Sequence, residues 1–295
     1  MDDQNTDSTN DYFDVGSFVA QFDGQLSETR HKIASELATR PWFQASDPDL
    51  RAELVTLPQE GAENHDGYLA DLAARPKHLG GVDILKLHGL SRGKFALITI
   101  FDVKNTQSGH EYTYEYVSWR YGPLPGAKGL VFVRPSSGEA PTHFIILVGE
   151  KFAPATKVYD TIGGFIDIGV EGIHTLLDRI LLEIKQEVGL VDLEVDAVIN
   201  LGQVYTDPGM TNSKPASFVA FISAEQADRI PKDPVNPDIH ELKAGSLVVP
   251  MSQLRQMVRE NTDALFCTAL IKSIASQETD DIFRHSVLEA LARED

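Results

Sequence analysis

The segment that most constrains this fold runs from Gly163 to Leu190 and reads GGFIDIGVEGIHTLLDRILLEIKQEVGL. Aliphatic residues recur in it at spacings of three and four, which predicts one apolar stripe on a helix. The stripe consists of Ile173, Leu176, Leu177, Ile180, Leu181, Ile184 and Val188. We therefore expect a glycine turn, an acidic loop and one amphipathic helix that ends at Gly189 and packs against a core.

Two glutamates, Glu183 and Glu187, lie off this stripe and are four residues apart. This spacing stacks their carboxylates on one face of a helix, which we expect to be the more accessible face. Like charges placed in this way repel, and a bound divalent cation reverses the sign of that interaction. Oxygen ligands suit a hard ion such as Mg²⁺. A solvated pair of glutamates without a ligand is the alternative that the pair alone leaves open.

The order of these residues resembles the Nudix box, G-x5-E-x7-R-E-U-x-E-E-x-G-U, in which U is aliphatic. The matching residues are Gly164, Glu183, Ile184, Glu187, Gly189 and Leu190. The resemblance implies that Mg²⁺, or Mn²⁺ in its place, is held by Glu183 and Glu187. Further ligands implied are a backbone carbonyl of Gly163 or Gly164 and the loop residue Glu171.

The segment departs from the Nudix pattern at three points. Leu182 replaces the arginine, Gln186 replaces the middle glutamate, and the interval from Gly164 to Gly189 is four residues too long, which puts Glu171 out of register. In the family the arginine is thought to hold the glutamates in place. Arg179 lies one turn before Glu183 and is a candidate to replace it, although an ordinary surface salt bridge is the other interpretation.

A later stretch, GQVYTDPGMTNSKPASFVAF, resembles the loop after the box in ADP-ribose and nucleoside-diphosphate-sugar pyrophosphatases. This resemblance implies that Tyr205, Pro208 and Gly209 bind substrate, whereas a simple tight turn would explain the Pro-Gly pair equally well. Tyr114 lies on a predicted strand and is a candidate to stack on a nucleobase, with packing as its alternative. For the general base of the reaction, the candidates are the loop residues Glu241, Asp238 and Asp233.

Predicted strands before and after the central helix, closed by C-terminal helices, favour the α/β class with a mixed sheet between helical layers. The resemblance implies the Nudix α/β/α sandwich, preceded here by a small helical N-terminal region. The predicted divisions are an acidic disordered tail at 1–12, the helical region at 13–92, a Nudix-like domain at 93–280 and a C-terminal helix at 281–295.

The formal net charge of −18 over 295 residues argues against broad contact with nucleic acid or an anionic membrane. No apolar run reaches the length of a membrane span, and the N-terminus is too acidic for a secretory signal. The single cysteine, Cys267, excludes an intramolecular disulfide and fits a reducing compartment. We therefore expect a cytoplasmic protein, and the resemblance adds a small-molecule nucleotide substrate and a homodimer.

The resemblance implies a Mg²⁺-dependent hydrolase that cleaves the diphosphate of ADP-ribose or of a nucleotide sugar. The alternative is a catalytically degenerate Nudix-like domain that binds a nucleotide or a protein partner without hydrolysis, because Leu182 and Gln186 break the pattern. Retention of both Glu183 and Glu187 favours the hydrolase.

Overall fold

The computed structural model of the chain describes residues 13–57, 66–93, 96–119, 126–151, 154–164, 175–231, 244–261 and 263–293. It divides into two compact units, the first comprising Met1–Pro123 with Gly209–Asn212 and the second Leu124–Pro208 with Ser213–Asp295. Several predictions fall outside the described residues: the tail at 1–12, the ligand Glu171, and the general-base candidates Glu241, Asp238 and Asp233.

The first unit combines helices with an antiparallel sheet. Its helices are α1 (Val15–Ala20), α2 (Glu28–Ala38), α3 (Pro41–Gln44), α4 (Pro48–Val55) and α5 (Asp66–Ala73). Its strands are β1 (His78–Leu79), β2 (Val82–Arg92), β3 (Ala96–Asn105) and β4 (Glu111–Trp119), and they pair in that order. Strands β3 and β4 group with the helices, whereas the predicted division at residue 92 assigns them to the following domain.

The second unit contains a six-stranded sheet in the order β10-β6-β5-β9-β8, with β7 paired to β6. Its strands are β5 (Ala127–Arg134), β6 (His143–Lys151), β7 (Thr156–Asp160), β8 (Ala197–Gln203), β9 (Ala216–Ser223) and β10 (Ala244–Pro250). Strands β5 and β9 are parallel and the other pairs antiparallel, so the sheet is mixed. The helices described in this unit are α6 (Leu176–Val188), α7 (Ala224–Asp228), α8 (Leu254–Glu260), α9 (Ala264–Ala275) and α10 (Asp281–Ala292).

Helices cover both faces of this sheet, because alternate residues of a strand point to opposite sides. On β5, Val131 and Val133 pack into one cluster with Ile180 and Ile184 of α6. The intervening residues of β5 pack into a second cluster with side chains of α9 and α10; this cluster includes Leu130, Phe132, Phe266 and Phe283. The predicted α/β class with a mixed sheet is confirmed, while the assignment to the Nudix sandwich stays a prediction.

Strands β5 and β6 diverge, and this divergence positions the glycine turn. The described pairing joins Val131–Val133 of β5 to residues 143–145 of β6. Farther along the chain, β6 pairs with β7 instead. The chain after β7 then runs beside β5: Gly129 exchanges two backbone hydrogen bonds with Ile162, and the Ala127 N–H donates to the Gly164 carbonyl. The segment 161–164 therefore lies against the start of β5.

Candidate functional site

Helix α6 carries the two glutamates and has defined ends. The Thr175 side chain accepts a hydrogen bond from the Asp178 N–H at 3.1 Å, and Asp178 accepts one from the Thr175 N–H at 2.9 Å, which forms a capping box. At the other end Gly189 has φ of 72°, a left-handed conformation that glycine adopts without strain. The predicted end of the helix at Gly189 is confirmed.

Arg179 and Glu183 form a buried ion pair one turn apart on α6. Arg179 is 7% exposed and Glu183 6% exposed. The predicted pairing is therefore confirmed, while both the surface salt bridge and the accessible position of Glu183 are wrong. Leu177, assigned to the apolar stripe, is instead 49% exposed. The face of α6 that meets the sheet is rotated relative to the predicted stripe, and pairing makes burial of the two charges tolerable.

Glu187 is half-buried, and its Oε2 accepts a hydrogen bond from the Gly163 N–H at 2.5 Å. Burial raises the pKa of Glu187 to about 8. Lys128 and the Gly163 N–H act in the opposite direction and lower this pKa, whereas the nearby carboxyl groups of Glu183 and Asp160 raise it further. The Glu187 carboxylate thus lies where a negative charge is poorly stabilised by the protein alone.

The main chain approaches its neighbours closely at Gly163 and Gly164, and at Gly163 it leaves no room for a larger residue. Gly163 has φ of 135°, and a Cβ there would lie 2.0 Å from the Ala127 carbonyl oxygen. A Cβ on Gly164 would lie 2.5 Å from an oxygen of Glu183. The two glycines therefore let the main chain approach the carboxylates of α6, which explains in physical terms why this turn precedes the helix.

Lys128, on β5, lies beside the same turn. Its Nζ is 3.3 Å from Asp160 Oδ2 and donates to the Thr161 carbonyl at 3.3 Å. Lys151 approaches Asp160 from the end of β6, with Nζ 2.9 Å from Oδ2. Burial opposes the charged form of Asp160, yet the two lysines lower its pKa below the ordinary value. Asp160 is thus held between two cations.

Electrostatic coupling links Lys128 to the glutamate helix as well. Burial disfavours its ammonium form, but Asp160 and Glu187 outweigh that effect and raise the pKa of Lys128. Asp263, the N-cap of α9, accepts a hydrogen bond from the Thr161 N–H at 3.3 Å, and burial together with Asp160 raises its pKa. Charged groups from β5, β7, α6 and α9 therefore surround one short segment.

The residues present fit a hard divalent cation. Glu183 and Glu187 supply carboxylate oxygens, and Mg²⁺ usually takes one or two protein carboxylates and leaves its other positions to water and phosphate. The glycine at 164 leaves space beside Glu183 that a side chain would fill, and burial raises the pKa of Glu187, so a cation at that carboxyl group would favour its charged form. Within the described ranges, no group of three or more His, Cys, Asp and Glu side chains is arranged to hold a metal. The Gly164 carbonyl, predicted as a ligand, accepts the Ala127 N–H at 3.1 Å.

The predicted substrate residues fall in both units. Tyr205 is 56% exposed and, like the exposed Pro208, belongs to the second unit. Tyr114 and Gly209 belong to the first unit, where the Tyr114 hydroxyl donates to the Gly209 carbonyl. The turn is therefore tied to strand β4 by a side chain, and the substrate roles of these four residues stay predictions.

Sequence reasoning missed Lys128, Asp160 and Asp263. Lys128 lies near the start of the largely apolar strand AKGLVFVR, and nothing local marks it. A signal existed for Asp160, because a carboxylate that ends a strand three residues before a Gly-Gly turn is placed at the edge of that turn. Asp263 reads as an ordinary helix N-cap, which it also is.

No model of a known protein family matches this sequence, and no curated protein matches it. Among solved structures, the crystal structure of an ADP compounds hydrolase is similar, with a TM-score of 0.48 and 16% sequence identity. The match covers 66% of this chain and 94% of that chain. These values are too low to assign this chain to that protein's family. In the part of the chain that the structure describes, no helix is long and apolar enough to cross a membrane.

Proposed function

We propose that the second unit is a Nudix-type hydrolase that cleaves the diphosphate of a nucleoside diphosphate joined to another moiety, of the ADP-ribose or nucleotide-sugar type, with Mg²⁺ as its cofactor. The observation that carries this proposal is the pair of carboxylates on α6, each with its own partner. Arg179 pairs with Glu183, and the Gly163 N–H binds Glu187.

The energetic cost of this arrangement supports a functional role. A buried ion pair such as Arg179–Glu183 adds little stability compared with apolar residues of the same volume. Glu187 is held where its charged form is disfavoured, and perturbed carboxyl groups of this kind cluster at functional sites. Stability alone thus gives no reason for placing these charges against the core, whereas a cation-dependent reaction does.

In the proposed reaction Glu183 and Glu187 would hold Mg²⁺. When bound, the ion supplies positive charge that neutralises the diphosphate as its bridging bond breaks. Arg179 fixes the orientation of the Glu183 carboxylate. In this role Arg179 replaces the arginine of the Nudix box, whose position is occupied here by Leu182. The Gly163 N–H fixes Glu187, and Gly164 keeps the space beside Glu183 free of a side chain. Positioning of this kind supplies much of the rate in phosphate chemistry.

The decisive experiment is a hydrolysis screen of the full chain with Mg²⁺ over ADP-ribose, nucleotide sugars, dinucleotides and nucleoside triphosphates. Glu187→Gln is expected to lower turnover about 100-fold or more, the scale on which a group that stabilises transition-state charge acts. The matched control is Glu194→Gln, because Glu194 is exposed in the same unit and should leave turnover unchanged. Retained turnover in Glu187→Gln would contradict the proposal. If the wild-type chain hydrolysed none of these compounds but calorimetry showed that it binds one, we would conclude that it is a catalytically degenerate binding domain and not a hydrolase.

A further inference from the structure

The segment 161–164 is bonded to a strand on one side and to side chains elsewhere. Toward β5, Ile162 exchanges two backbone hydrogen bonds with Gly129. The pairing of β7 with β6 ends before the segment begins. The N–H groups of the alternate residues Thr161 and Gly163 both bond to side-chain carboxylates. These two carboxylates therefore take the place that the backbone of a neighbouring strand would occupy.

The two carboxylates come from different helices. Asp263 Oδ2, at the start of α9, accepts the Thr161 N–H at 3.3 Å. Glu187 Oε2, on α6, accepts the Gly163 N–H at 2.5 Å. Side chains of α6 and α9 pack on opposite faces of the sheet, so the segment is held from both faces at positions only two residues apart.

Both oxygens of Asp263 are engaged, and helix capping accounts for one of them. Oδ1 accepts the Leu265 N–H at 2.9 Å, which caps α9, while Oδ2 bonds to Thr161. Asn and Ser, which supply a single acceptor, cap helices about as well as Asp does. The second oxygen of Asp263 thus makes a contact that the cap does not require.

Thr161 is a firm point of attachment because it is fully buried and its other polar groups are also engaged. Its carbonyl accepts a hydrogen bond from Lys128 Nζ at 3.3 Å, and its hydroxyl donates to Asp160 Oδ1 at 3.4 Å. Only one residue separates Thr161 from Gly163, so a shift of Thr161 is passed along the backbone to the bond between Gly163 and Glu187.

We infer that Asp263 is a positioning residue for the proposed hydrolase site, and that it acts by holding Thr161 and so aligning the Gly163 N–H with the Glu187 carboxylate. This inference rests on the proposed function, because it assumes that Glu187 is a cation ligand. It extends the support of the site from α6 to the start of α9, on the opposite face of the sheet. Such support matters because a displacement of about 1 Å at a reacting centre can cost about 100-fold in rate.

The test uses variants of Asp263 that keep the helix cap but supply one acceptor instead of two. Asp263→Asn presents one carbonyl oxygen and an NH₂ group, which cannot accept a hydrogen bond. Asp263→Ser presents one hydroxyl oxygen, and both variants are measured so that the result does not depend on the orientation of one amide or on the folding of one variant. The matched control is Asp280→Asn, because Asp280 is the N-cap of another helix in the same unit and accepts the Phe283 N–H at 2.7 Å.

The first measurement is the hydrogen-exchange rate of the Gly163 amide, followed by NMR of the full chain in the presence of chelator. The Asp263 variants are expected to raise this rate about tenfold relative to other amides of the unit, the scale of one lost hydrogen bond. Asp280→Asn should leave it within about twofold of wild type. A cap with a structural role alone would lower the stability measured in urea without a selective change at Gly163.

The second measurement is steady-state hydrolysis, at saturating Mg²⁺, of the compound that the substrate screen identifies. The Asp263 variants should lower kcat about tenfold and leave KM within about twofold, because they disturb the alignment of a cation ligand and not the contacts that bind substrate. Asp280→Asn should leave both kcat and KM unchanged.

The outcomes distinguish this inference from the proposed function. If Gly163 exchange is unchanged in both Asp263 variants, the inference is overturned, whereas the proposed function stands as long as Glu187→Gln still loses turnover. Faster exchange with an unchanged kcat also overturns the inference, because the segment would then move without effect on the reaction. If the wild-type chain hydrolyses none of the compounds, both are overturned.

Discussion

The two faces of the six-stranded sheet differ in the charged groups that lie against them. On the α6 face, Arg179, Glu183 and Glu187 lie among the aliphatic residues that form the core. On the α9 and α10 face, the core is aromatic: the rings of Phe132 and Phe221 meet Phe283 edge-on, with centroids 4.9 Å and 5.3 Å away. Among the described residues, the buried glutamate Glu183 and the half-buried Glu187 lie on the first face.

Among the described residues, the second face contains the buried cation Arg134, which contacts an aromatic ring and the residue that caps α10. The Arg134 guanidinium lies 3.9 Å from the Phe221 ring centroid, and its Nη2 is 2.7 Å from Asp280 Oδ2. Asp280 in turn caps α10 by accepting the Phe283 N–H at 2.7 Å. Arg134 thus fastens the start of a helix to the sheet and lowers the pKa of its partner Asp280, whereas Glu187 accepts the Gly163 N–H at a position where burial raises its pKa. The comparison separates charges that serve folding from charges that we assign to function.

The largest expected effect tests the aromatic face. Phe283 is fully buried, so Phe283→Ala should lower the free energy of unfolding by about 4 kcal/mol through lost burial and the cavity left behind. Urea denaturation measures this loss. Ile282→Ala is the matched control, since Ile282 is 52% exposed on the same helix and should cost about 0.5 kcal/mol or less. A loss below about 1 kcal/mol for Phe283→Ala would show that α10 is not part of this core.

The next effect tests whether the charges on α6 serve stability. Arg179→Met leaves Glu183 buried without its cation, which should cost about 3 kcal/mol in urea denaturation with chelator present. The double variant Arg179→Met/Glu183→Met should recover most of that loss while hydrolysis stays absent. As a control with the same spacing, Arg293→Met breaks the exposed pair with Glu289 and should change stability by less than about 1 kcal/mol. A double variant no more stable than Arg179→Met would mean that the pair itself holds the fold together.

The sequence was sufficient to predict helix α6 and its internal pairing, because both depend on short-range spacing. Gly189 marked the C-terminal end, and the four-residue interval between Arg179 and Glu183 put their side chains within reach. The α/β class followed equally from strands on either side of one amphipathic helix. These features are local, so a single sequence contains the information for them.

Burial of the charges could not be predicted, because it depends on tertiary structure. The burial of Glu183 depends on the segment 161–164. This segment lies beside the start of β5, where β6 no longer pairs with β5. Lys128, Asp160 and Asp263 come from three separate elements, and only the fold brings them to that segment. The apolar stripe of a helix also spans a wide arc, so a residue at its edge can face solvent. For this reason Leu177 was predicted to be part of the core but is exposed in the structure.

The smallest expected effect concerns the pH dependence of the Arg134–Asp280 pair. Burial opposes the charged form of Asp280, but the Phe283 N–H and Arg134 outweigh it and lower the pKa of Asp280. A carboxyl group with a lowered pKa in the folded state stabilises the fold above its unfolded pKa, near 3.9, and that stabilisation is lost as the pH falls through the folded pKa. Asp280→Asn keeps an acceptor for the helix cap and removes only the charge.

Wild type should therefore exceed Asp280→Asn by about 1 kcal/mol at pH 6, a value kept small because the Asp280 side chain is 43% exposed. The difference should shrink toward zero by pH 3, as measured by urea denaturation at both pH values. Asp281→Asn controls for the loss of one negative charge, since Asp281 is 93% exposed next to Asp280. If the two variants behave alike at both pH values, Arg134 does not stabilise the fold through Asp280, and the contrast between a structural charge on this face and a functional one on α6 no longer holds.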